Sequence, residues 1–211
     1  MTDIADRPDR MPRAENALLA LLESRRSAAV GLIGEPAPSE AELSRMLACA
    51  CRAPDHGALE PWRFILIEGD ARHRAGELLS ARYAIENAGM EPAKLAKFTA
   101  IMARVFLAAP VVVIVVSRPD RSARIPVFEQ ELSAGAVCMN LLTAAHAMGF
   151  AANWVTGFAA QSEGAREVLG VAAGEKIAGI IHVGTALETP AERKRPNLDA
   201  ITTRWGASER P

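Results

Sequence analysis

The sequence predicts a layered fold of the α/β or α+β class, in which a β-sheet lies between helices. Strand-like apolar segments alternate with helical ones along the chain. Val111 to Val116 is a continuous β-branched run, which is typical of a central strand buried on both faces. The longest helical pattern, from Pro126 to Met148, is followed at once by Gly149, which favours a helix end. We therefore expect one layered domain with helices on both faces of its sheet.

Two short helices precede the first predicted strand. From Ala14 to Ser24 the apolar residues recur at helical spacing. Ser39 followed by Glu42 is a capping-box pattern, and it predicts a second helix over Ser39 to Cys51. Phe64 to Ile67 is then the first predicted strand.

The remaining elements follow in the same alternation. A helical region is interrupted near Asn87-Ala88-Gly89 and resumes after Pro92, ahead of the central strand. The long helix after that strand is rich in Ala and Gly, so it is either the buried spine of the domain or a dimer seam. Ala152 to Val155, Glu163 to Leu169 and Ile177 to Thr185 are predicted as strand, short helix and last strand.

The two ends of the chain differ from the domain between them, which we place at 14–190. Residues 1–13 are polar and contain two prolines, so they lack the apolar core of a signal peptide and are predicted to be a disordered leader. Residues 191–211 are charged and sparsely apolar, and we expect this extension to dock on another surface or remain mobile.

Composition excludes several classes of protein. The 211 residues carry a formal net charge of -1, without the basic excess of nucleic-acid-binding proteins. The longest apolar run, Phe106 to Val116, contains a proline and is too short to span a membrane, so we predict a cytoplasmic protein. Neither a disulfide framework nor a metal site is expected from its three cysteines and four histidines.

Two basic clusters flank the second predicted helix. Arg25-Arg26-Ser27 ends the first helical stretch, and Arg52 to His56 follows the second. Arginine holds a phosphate through charge-assisted, bidentate hydrogen bonds. The helix between the clusters is only about 20 Å long, so both are predicted to line one pocket. The alternatives are a helix end that favours cations and a simple helix-to-strand connection.

Two further segments carry candidate binding groups. Trp154-Val155-Thr156-Gly157 lies at the carboxyl end of a predicted strand, where ligands often bind, and Gly157 lets the backbone approach a planar ring. Arg193 and Arg195 add positive charge in the tail. A glycine turn over a core tryptophan and a solvated charge run are the alternatives. No G-x-G-x-x-G, P-loop or G-x-S-x-G motif occurs, which argues against Rossmann dehydrogenases, NTPases and α/β-hydrolases.

Taken in order, these motifs resemble the FMN-dependent nitroreductase family, and most closely its short, minimal branch. The resemblance covers about Ala17 to Ile201 and includes Pro61-Trp62 and Gly184-Thr185 beside the segments above. It implies an α+β fold with a mixed, mainly antiparallel sheet between helices on both faces. It also implies a homodimer with two FMN molecules at the subunit interface and tails that reach the partner.

The resemblance assigns cofactor-binding roles residue by residue. Phosphate and ribityl positions match Arg25, Arg26 and Ser27, and terminal phosphate positions match Arg193 and Arg195. Arg52 and His56 match positions near the flavin, with His56 reaching the partner's cofactor. The segment near the ring's N5 edge matches Trp154, Val155, Thr156 and Gly157.

Four positions depart from the family pattern. Many relatives carry a basic residue where this chain has Ala29 and Val30, and many carry Gln where Glu60 stands. A carboxylate beside a flavin disfavours its anionic reduced form, so a lower reduction potential or a different substrate is expected. Some near relatives present an arginine at the position of Val155.

The implied activity is an oxidoreductase that uses NADH or NADPH. Hydride passes through flavin N5 to a nitroaromatic, a quinone or a similar electron-poor small molecule, in a ping-pong sequence. We assign no catalytic residue; His56 is the one candidate, because imidazole ordinarily titrates near neutral pH. Two other classes stay open: a flavin-binding carrier or sensor without turnover, and a phosphate-ligand-binding or structural dimeric module without flavin.

Overall fold

The computed structural model describes residues 16–206, so the predicted leader, 1–13, lies outside the described residues. The helices are α1 (Asn16–Ser24), α2 (Glu40–Ala50), α3 (Ala71–Glu86), α4 (Pro92–Arg104), α5 (Val127–Ala147), α6 (Gly157–Gln161), α7 (Glu163–Val168) and α8 (Leu198–Ile201). The strands are β1 (Ile33–Gly34), β2 (Trp62–Glu68), β3 (Val111–Ser117), β4 (Ala151–Val155) and β5 (Lys176–Ala186).

Strand β5 organises the sheet because it pairs with three other strands. Along one edge it pairs with β3, from Val111 opposite Val183 to Ser117 opposite Lys176. Along its other edge it pairs first with β4 and then with β1. β2 pairs with the free edge of β3. The predicted α+β fold is confirmed, and each of these four pairings is antiparallel.

The β-branched run in β3 is buried on both faces, as its composition predicts. Val111, Val113 and Val115 belong to a core that includes residues of α2 and α5. Val112, Ile114 and Val116 belong to a second core, with residues of α3 and α4 packed in it. The alternation follows from the two-residue period of a strand, and it places helices on both faces of the sheet.

Helix α5 is the buried spine of the domain, which was one of the two roles predicted for it. One side of the helix is buried, including Val137, Cys138 and Leu141. Its other side keeps exposed apolar side chains, with Phe128 and Leu132 both more than half exposed. The dimer seam stays a prediction, and this exposed side is where it would form.

The capping box of α2 is present as predicted. The Ser39 backbone N–H donates to Glu42 Oε2 at 2.8 Å, and the Glu42 backbone N–H donates to Ser39 Oγ at 3.3 Å. Both groups would otherwise be unsatisfied at a helix start. α2 packs on α5 in the antiparallel sense, because the Ala50 carbonyl accepts from Asn140 Nδ2 at 3.5 Å, whereas the later Pro54 carbonyl accepts from the earlier Ser133 hydroxyl.

Within residues 16–206, no helix combines the length and the apolar character that crossing a bilayer requires.

Candidate functional site

Three arginines gather where α1 meets the C-terminal tail; we call Arg25, Arg26 and Arg195 the arginine cluster. Arg26 Nη1 lies 3.2 Å from Glu192 Oε1, and Arg26 Nη2 donates to the Ala191 carbonyl at 3.4 Å. Arg195 Nη2 donates to the Glu23 carbonyl at 2.9 Å. The tail therefore folds back on its own α1 end and carries a third guanidinium there.

The arginine cluster has unmet hydrogen-bonding capacity. Burial lowers the pKa of Arg25, and the neighbouring charges of Arg195 and Arg26 lower it further. Arg25 Nη1 and Arg26 Nε are buried and have no hydrogen-bond partner among residues 16–206. Buried donors on like-charged groups are costly unless an acceptor reaches them. A phosphate dianion supplies oxygen acceptors and offsets the charge repulsion, so these residues fit a phosphate group.

His146, at the end of α5, fixes the backbone of this basic segment. Its Nδ1 lies 2.7 Å from the Leu142 carbonyl oxygen, and its Nε2 lies 2.8 Å from the Arg26 carbonyl oxygen. His146 also lines a cleft of about 400 Å³ together with Arg25 and Arg26. Sequence reasoning missed His146, since a single histidine in a long helix has no distinguishing spacing.

From Arg26 the chain runs alongside β4 towards the second group of predicted residues. Asn153 Nδ2 donates to the carbonyl of Ala28. Two residues further on, Val30 lines a cavity together with Val155 and Gly157. The arginine cluster thus lies at one end of this path and the carboxyl end of β4 at the other, which is a suitable arrangement for an elongated ligand with one anionic end.

Gly157 opens the backbone at the carboxyl end of β4. Its φ is +64°, in the left-handed region that favours glycine. A Cβ placed on it would meet no atom within 4 Å. Together with exposed Thr156, it leaves space in which a planar group can approach the main chain.

Trp154 lies on the opposite face of the sheet from Val155, as the two-residue period of a strand requires. Its ring covers Gly179 of β5, where a Cβ would come within 2.3 Å of Trp154 Nε1. The indole Nε1 donates to the Ala178 carbonyl at 3.3 Å. The Trp154 ring therefore points towards the α5 side. Of the four residues predicted in this segment, Val155, Thr156 and Gly157 line the cavity by β4 and Trp154 does not.

His56 lies at the other end of α5, and Arg52 precedes it in the segment after α2; neither lines the cleft beside the arginine cluster, which corrects the prediction of one shared pocket. His56 Nδ1 is 2.8 Å from Glu129 Oε2, in the first turn of that helix. The arginine cluster adjoins His146, and at 1.5 Å per residue the stretch from Glu129 to His146 is about 25 Å long. The prediction was wrong for a single chain because the antiparallel packing of α2 directs its C-terminal end away from Arg25.

The remaining predicted positions have few contacts. Ser27 and Arg52 are exposed. Arg193 is exposed too, and its backbone N–H donates to Glu192 Oε1 at 2.9 Å. Glu60 is held in the left-handed region at φ +47°, where its backbone N–H donates to Asp55 Oδ2 at 2.8 Å.

Among residues 16–206, no group of three or more His, Cys, Asp or Glu side chains is placed to hold a metal ion.

Comparison with known families decides what this fold is. The sequence model described as "Nitroreductase family" matches residues 22–185, which include the Arg25-Arg26-Ser27 segment and all of β5 except its last residue, Ala186. The chain belongs to the nitroreductase family. The family resemblance found in the sequence is thereby confirmed.

A curated relative agrees with this assignment. YdjA of Escherichia coli strain K12, whose name assigns it provisionally as an NAD(P)H nitroreductase, is 34% identical over 170 residues. The match covers 79% of this chain and 87% of the relative.

Solved structures share the nitroreductase fold. A nitroreductase-like family protein from Bacillus cereus superposes with a TM-score of 0.75 at 23% identity, over 90% of this chain and 96% of that one. A Desulfovibrio desulfuricans protein, named provisionally as a nitroreductase and solved in complex with FMN, gives a TM-score of 0.69 at 22% identity. That match covers 90% of this chain and 98% of that chain.

Proposed function

We propose that this protein is an NAD(P)H-dependent flavin oxidoreductase that binds FMN as a homodimer and reduces nitroaromatics, quinones or similar electron-poor small molecules. The observation that carries the proposal is the arginine cluster with its two unpartnered buried nitrogens. Membership of the nitroreductase family supports the reaction class. The choice between NADH and NADPH and the cytoplasmic location stay predictions.

The arginine cluster would hold the FMN phosphate. Arg25 and Arg26 present donors that are already desolvated, so an anion that reaches them gains strong charge-assisted bonds. Glu192 now partly neutralises Arg26 and would be displaced or shared when phosphate binds. Ser27 is exposed one residue further along, in a position to donate its hydroxyl to the ribityl chain.

The flavin ring would lie at the carboxyl end of β4, against Thr156 and Gly157. The main chain is accessible there, and Asn153 holds the Ala28 carbonyl so that the segment to Val30 follows the same direction. FMN, when bound, supplies the redox chemistry, since it takes hydride from a nicotinamide and delivers reducing equivalents to an acceptor. The chain's own contribution is to hold the cofactor by its two ends and to leave one ring face accessible.

A two-fold dimer through α5 would complete each site. The arginine cluster lies beside the C-terminal end of α5, and His56 lies beside its N-terminal end. If two α5 helices pack antiparallel through their exposed apolar sides, His56 and Arg52 of one chain approach the arginine cluster of the other. A two-fold axis perpendicular to the two helices produces this exchange of ends, and the exchange would restore the single pocket that one chain cannot form.

The experiment that tests the proposal compares two double variants with the same loss of charge. Arg25→Ala/Arg26→Ala should weaken FMN binding by several kcal/mol, given about 1.5 to 3 kcal/mol for each hydrogen bond to a charged group. Arg121→Ala/Arg124→Ala, in an exposed loop, is the control. Flavin fluorescence quenching gives both dissociation constants, and equal affinities would exclude the assignment.

An activity assay separates the reductase from a flavin carrier. The FMN-loaded protein should oxidise NADH or NADPH faster when a quinone or nitroaromatic is added, and a parallel-line dependence on the two substrates would support ping-pong kinetics. Tight FMN binding with background rates only would favour a carrier or sensor. A protein that stays colourless after reconstitution would instead favour the module without flavin.

A further inference from the structure

Both ring nitrogens of His146 lie against backbone carbonyl oxygens. Nδ1 is 2.7 Å from the Leu142 oxygen, one turn earlier in α5, and Nε2 is 2.8 Å from the Arg26 oxygen, in the segment after α1. The ring is half-buried and lines the cleft beside the arginine cluster. A carbonyl oxygen only accepts hydrogen bonds, so each of the two contacts needs a proton on the ring nitrogen.

Only the protonated ring satisfies both contacts together. A neutral imidazole carries one N–H, and its other nitrogen is an acceptor whose lone pair would face a carbonyl oxygen. Both distances lie in the range of N–H···O hydrogen bonds, and they match the shorter bonds that charged donors make. The geometry at His146 therefore favours the imidazolium form, with one proton on each nitrogen.

The charges of the arginine cluster oppose that form when no anion is bound. Arg25 and Arg26 line the same cleft as His146. Glu192 of the tail also lines the cleft, but its single carboxylate is shared between Arg26 and Arg195. The cleft thus keeps an excess of positive charge, which repels a further cation on the imidazole.

The other elements around His146 do not change this balance. No Asp, Glu, Lys or Arg occurs from 132 to 162, so this part of α5, β4 and the loop between them carry no charged side chain. Glu42 and Arg45 of α2 lie beside the same end of α5, and their opposite charges offset each other. Because imidazole ordinarily titrates near neutral pH, an anion in the cleft is enough to change the protonation state of such a ring.

We propose that His146 is a positioning residue that takes up one proton from solvent when the FMN phosphate binds to the arginine cluster. This inference rests on the proposed function, in which the phosphate lies beside Arg25 and Arg26. A phosphate dianion offsets the repulsion, so the imidazolium becomes stable and donates to both carbonyls, and the backbone of Arg26 is then fixed to α5. At higher pH the ring loses one of these hydrogen bonds, and the phosphate is held less tightly.

The test measures the affinity for FMN as a function of pH. The dissociation constant from flavin fluorescence quenching should be about fivefold higher at about pH 8.5 than at about pH 7, since linkage to one proton raises it by at most about tenfold per pH unit. The phosphate is almost wholly a dianion throughout this range, because its second pKa is about 6. Riboflavin, which lacks the phosphate, should bind equally at both pH values.

Three variants assign the proton to a residue. His146→Gln keeps an amide donor but has no titrating group, so its affinity for FMN should be the same at both pH values. His56→Gln removes the other histidine of the proposed site and should retain the pH dependence, whatever its affinity. His73→Gln, at an exposed position of α3, is the control and should bind FMN like the wild type.

Two measurements on the wild type keep the test decisive if His146→Gln does not fold. Calorimetric titration with FMN, in two buffers that differ in ionisation enthalpy, should show proton uptake on binding. NMR of the ring nitrogens in FMN-free protein, with sulfate as a dianion that does not titrate near neutral pH, should show an N–H proton on each His146 nitrogen. The second measurement needs no flavin, so failure of the FMN assignment leaves it intact.

Four results would overturn the proposal. An FMN affinity that does not change with pH, or binding without proton uptake, would remove the linkage. An equal pH dependence for riboflavin would separate the linkage from the phosphate. A pH dependence that survives His146→Gln, or one that disappears in His56→Gln, would place the proton on another group. A His146 ring that keeps a single N–H proton in the presence of sulfate would exclude the doubly donating form.

Discussion

Glu192 is the residue that sets how much positive charge the arginine cluster presents. Its carboxylate lies 3.2 Å from Arg26 Nη1 and 3.5 Å from Arg195 Nε, while it remains largely exposed. A hydrogen bond from the Arg193 backbone lowers the pKa of Glu192, and the two arginines add to this, so it is ionised at neutral pH. It therefore competes with any anion for the same guanidinium groups.

We predict that Glu192→Gln strengthens FMN binding by about threefold at low ionic strength, the order expected for an exposed ion pair. The gain should shrink as salt is added, because exposed charges are screened. Fluorescence titration at two salt concentrations measures both effects. Glu188→Gln is the matched control, because Glu188 is a tail carboxylate without an ion pair in the described structure. An equal gain in FMN affinity in this variant would indicate a general charge effect.

The ion pair between Arg63 and Glu175 gives a stability prediction with a defined pH dependence. Arg63 Nη2 lies 2.6 Å and Nε 2.9 Å from the two Glu175 oxygens, and both side chains are mostly buried. Hydrogen bonds from Arg63 lower the pKa of Glu175 below its ordinary 4.5. Because the pKa of Glu175 is lower in the folded protein, the ion pair stabilises the fold fully above about pH 4.5, the ordinary pKa. This stabilisation is lost as the pH falls through the pKa of the folded state.

Glu175→Gln should therefore lower the free energy of unfolding by about 1 to 2 kcal/mol at pH 7. The difference from wild type should narrow below about pH 4. Urea unfolding at pH 7 and pH 3.5 measures both values. Glu131→Gln breaks the more exposed pair with Lys176 and should cost less than about 0.5 kcal/mol. A pH-independent loss in Glu175→Gln would refute the electrostatic explanation.

At the scale of elements, the contact between α3 and α4 depends on a missing side chain. A Cβ on Gly76 would lie 2.2 Å from the Ala103 carbonyl oxygen, a backbone atom that no rotamer change can move. Gly76→Ala should cost about 1 to 3 kcal/mol of stability because the two helices must separate. Gly89→Ala, between the same helices, meets no atom within 4 Å and should change stability by less than about 0.5 kcal/mol. Thermal unfolding of both variants tests the difference.

Most elements were predictable because their signals are local. The β-branched run of β3, the capping box of α2 and the glycine after α5 each indicate an element without reference to the rest of the chain. β1 was missed because its two residues are a strand only through pairing with Thr185 and Ala186. α6 was missed because its first residue, Gly157, indicates a turn in the sequence.

The site was less predictable than the elements, since it depends on how they pack. The sequence motifs identified Arg25, Arg26 and Arg195, which the structure brings together. They did not show that the packing of α2 separates His56 from that cluster by most of the length of α5. His146 was missed because its role comes from the Arg26 carbonyl group, which is far away in sequence.

At the scale of the whole molecule, the exposed apolar side of α5 gives a prediction about assembly. Leu132 is 58% exposed and lies in the N-terminal third of α5, and a charge there would oppose a helix-to-helix contact. Leu132→Glu should convert a dimer to a monomer and weaken FMN binding at least tenfold, because the proposed site is completed by residues of both chains. Leu78→Glu, on the exposed side of α3, should leave both unchanged. Sedimentation velocity and flavin titration give the two readouts.

The position of β5 after all of its partner strands has a consequence for biosynthesis. Its three partner strands are synthesised first, and Ile33 of β1 can pair only after Ala186 of β5 has been synthesised. Until β5 has been synthesised, only the β2–β3 pair of this sheet can form, and the other edge of β3 stays unpaired. Truncation before Lys176 would leave that edge permanently unpaired, so release of such fragments should lead to aggregation or proteolysis.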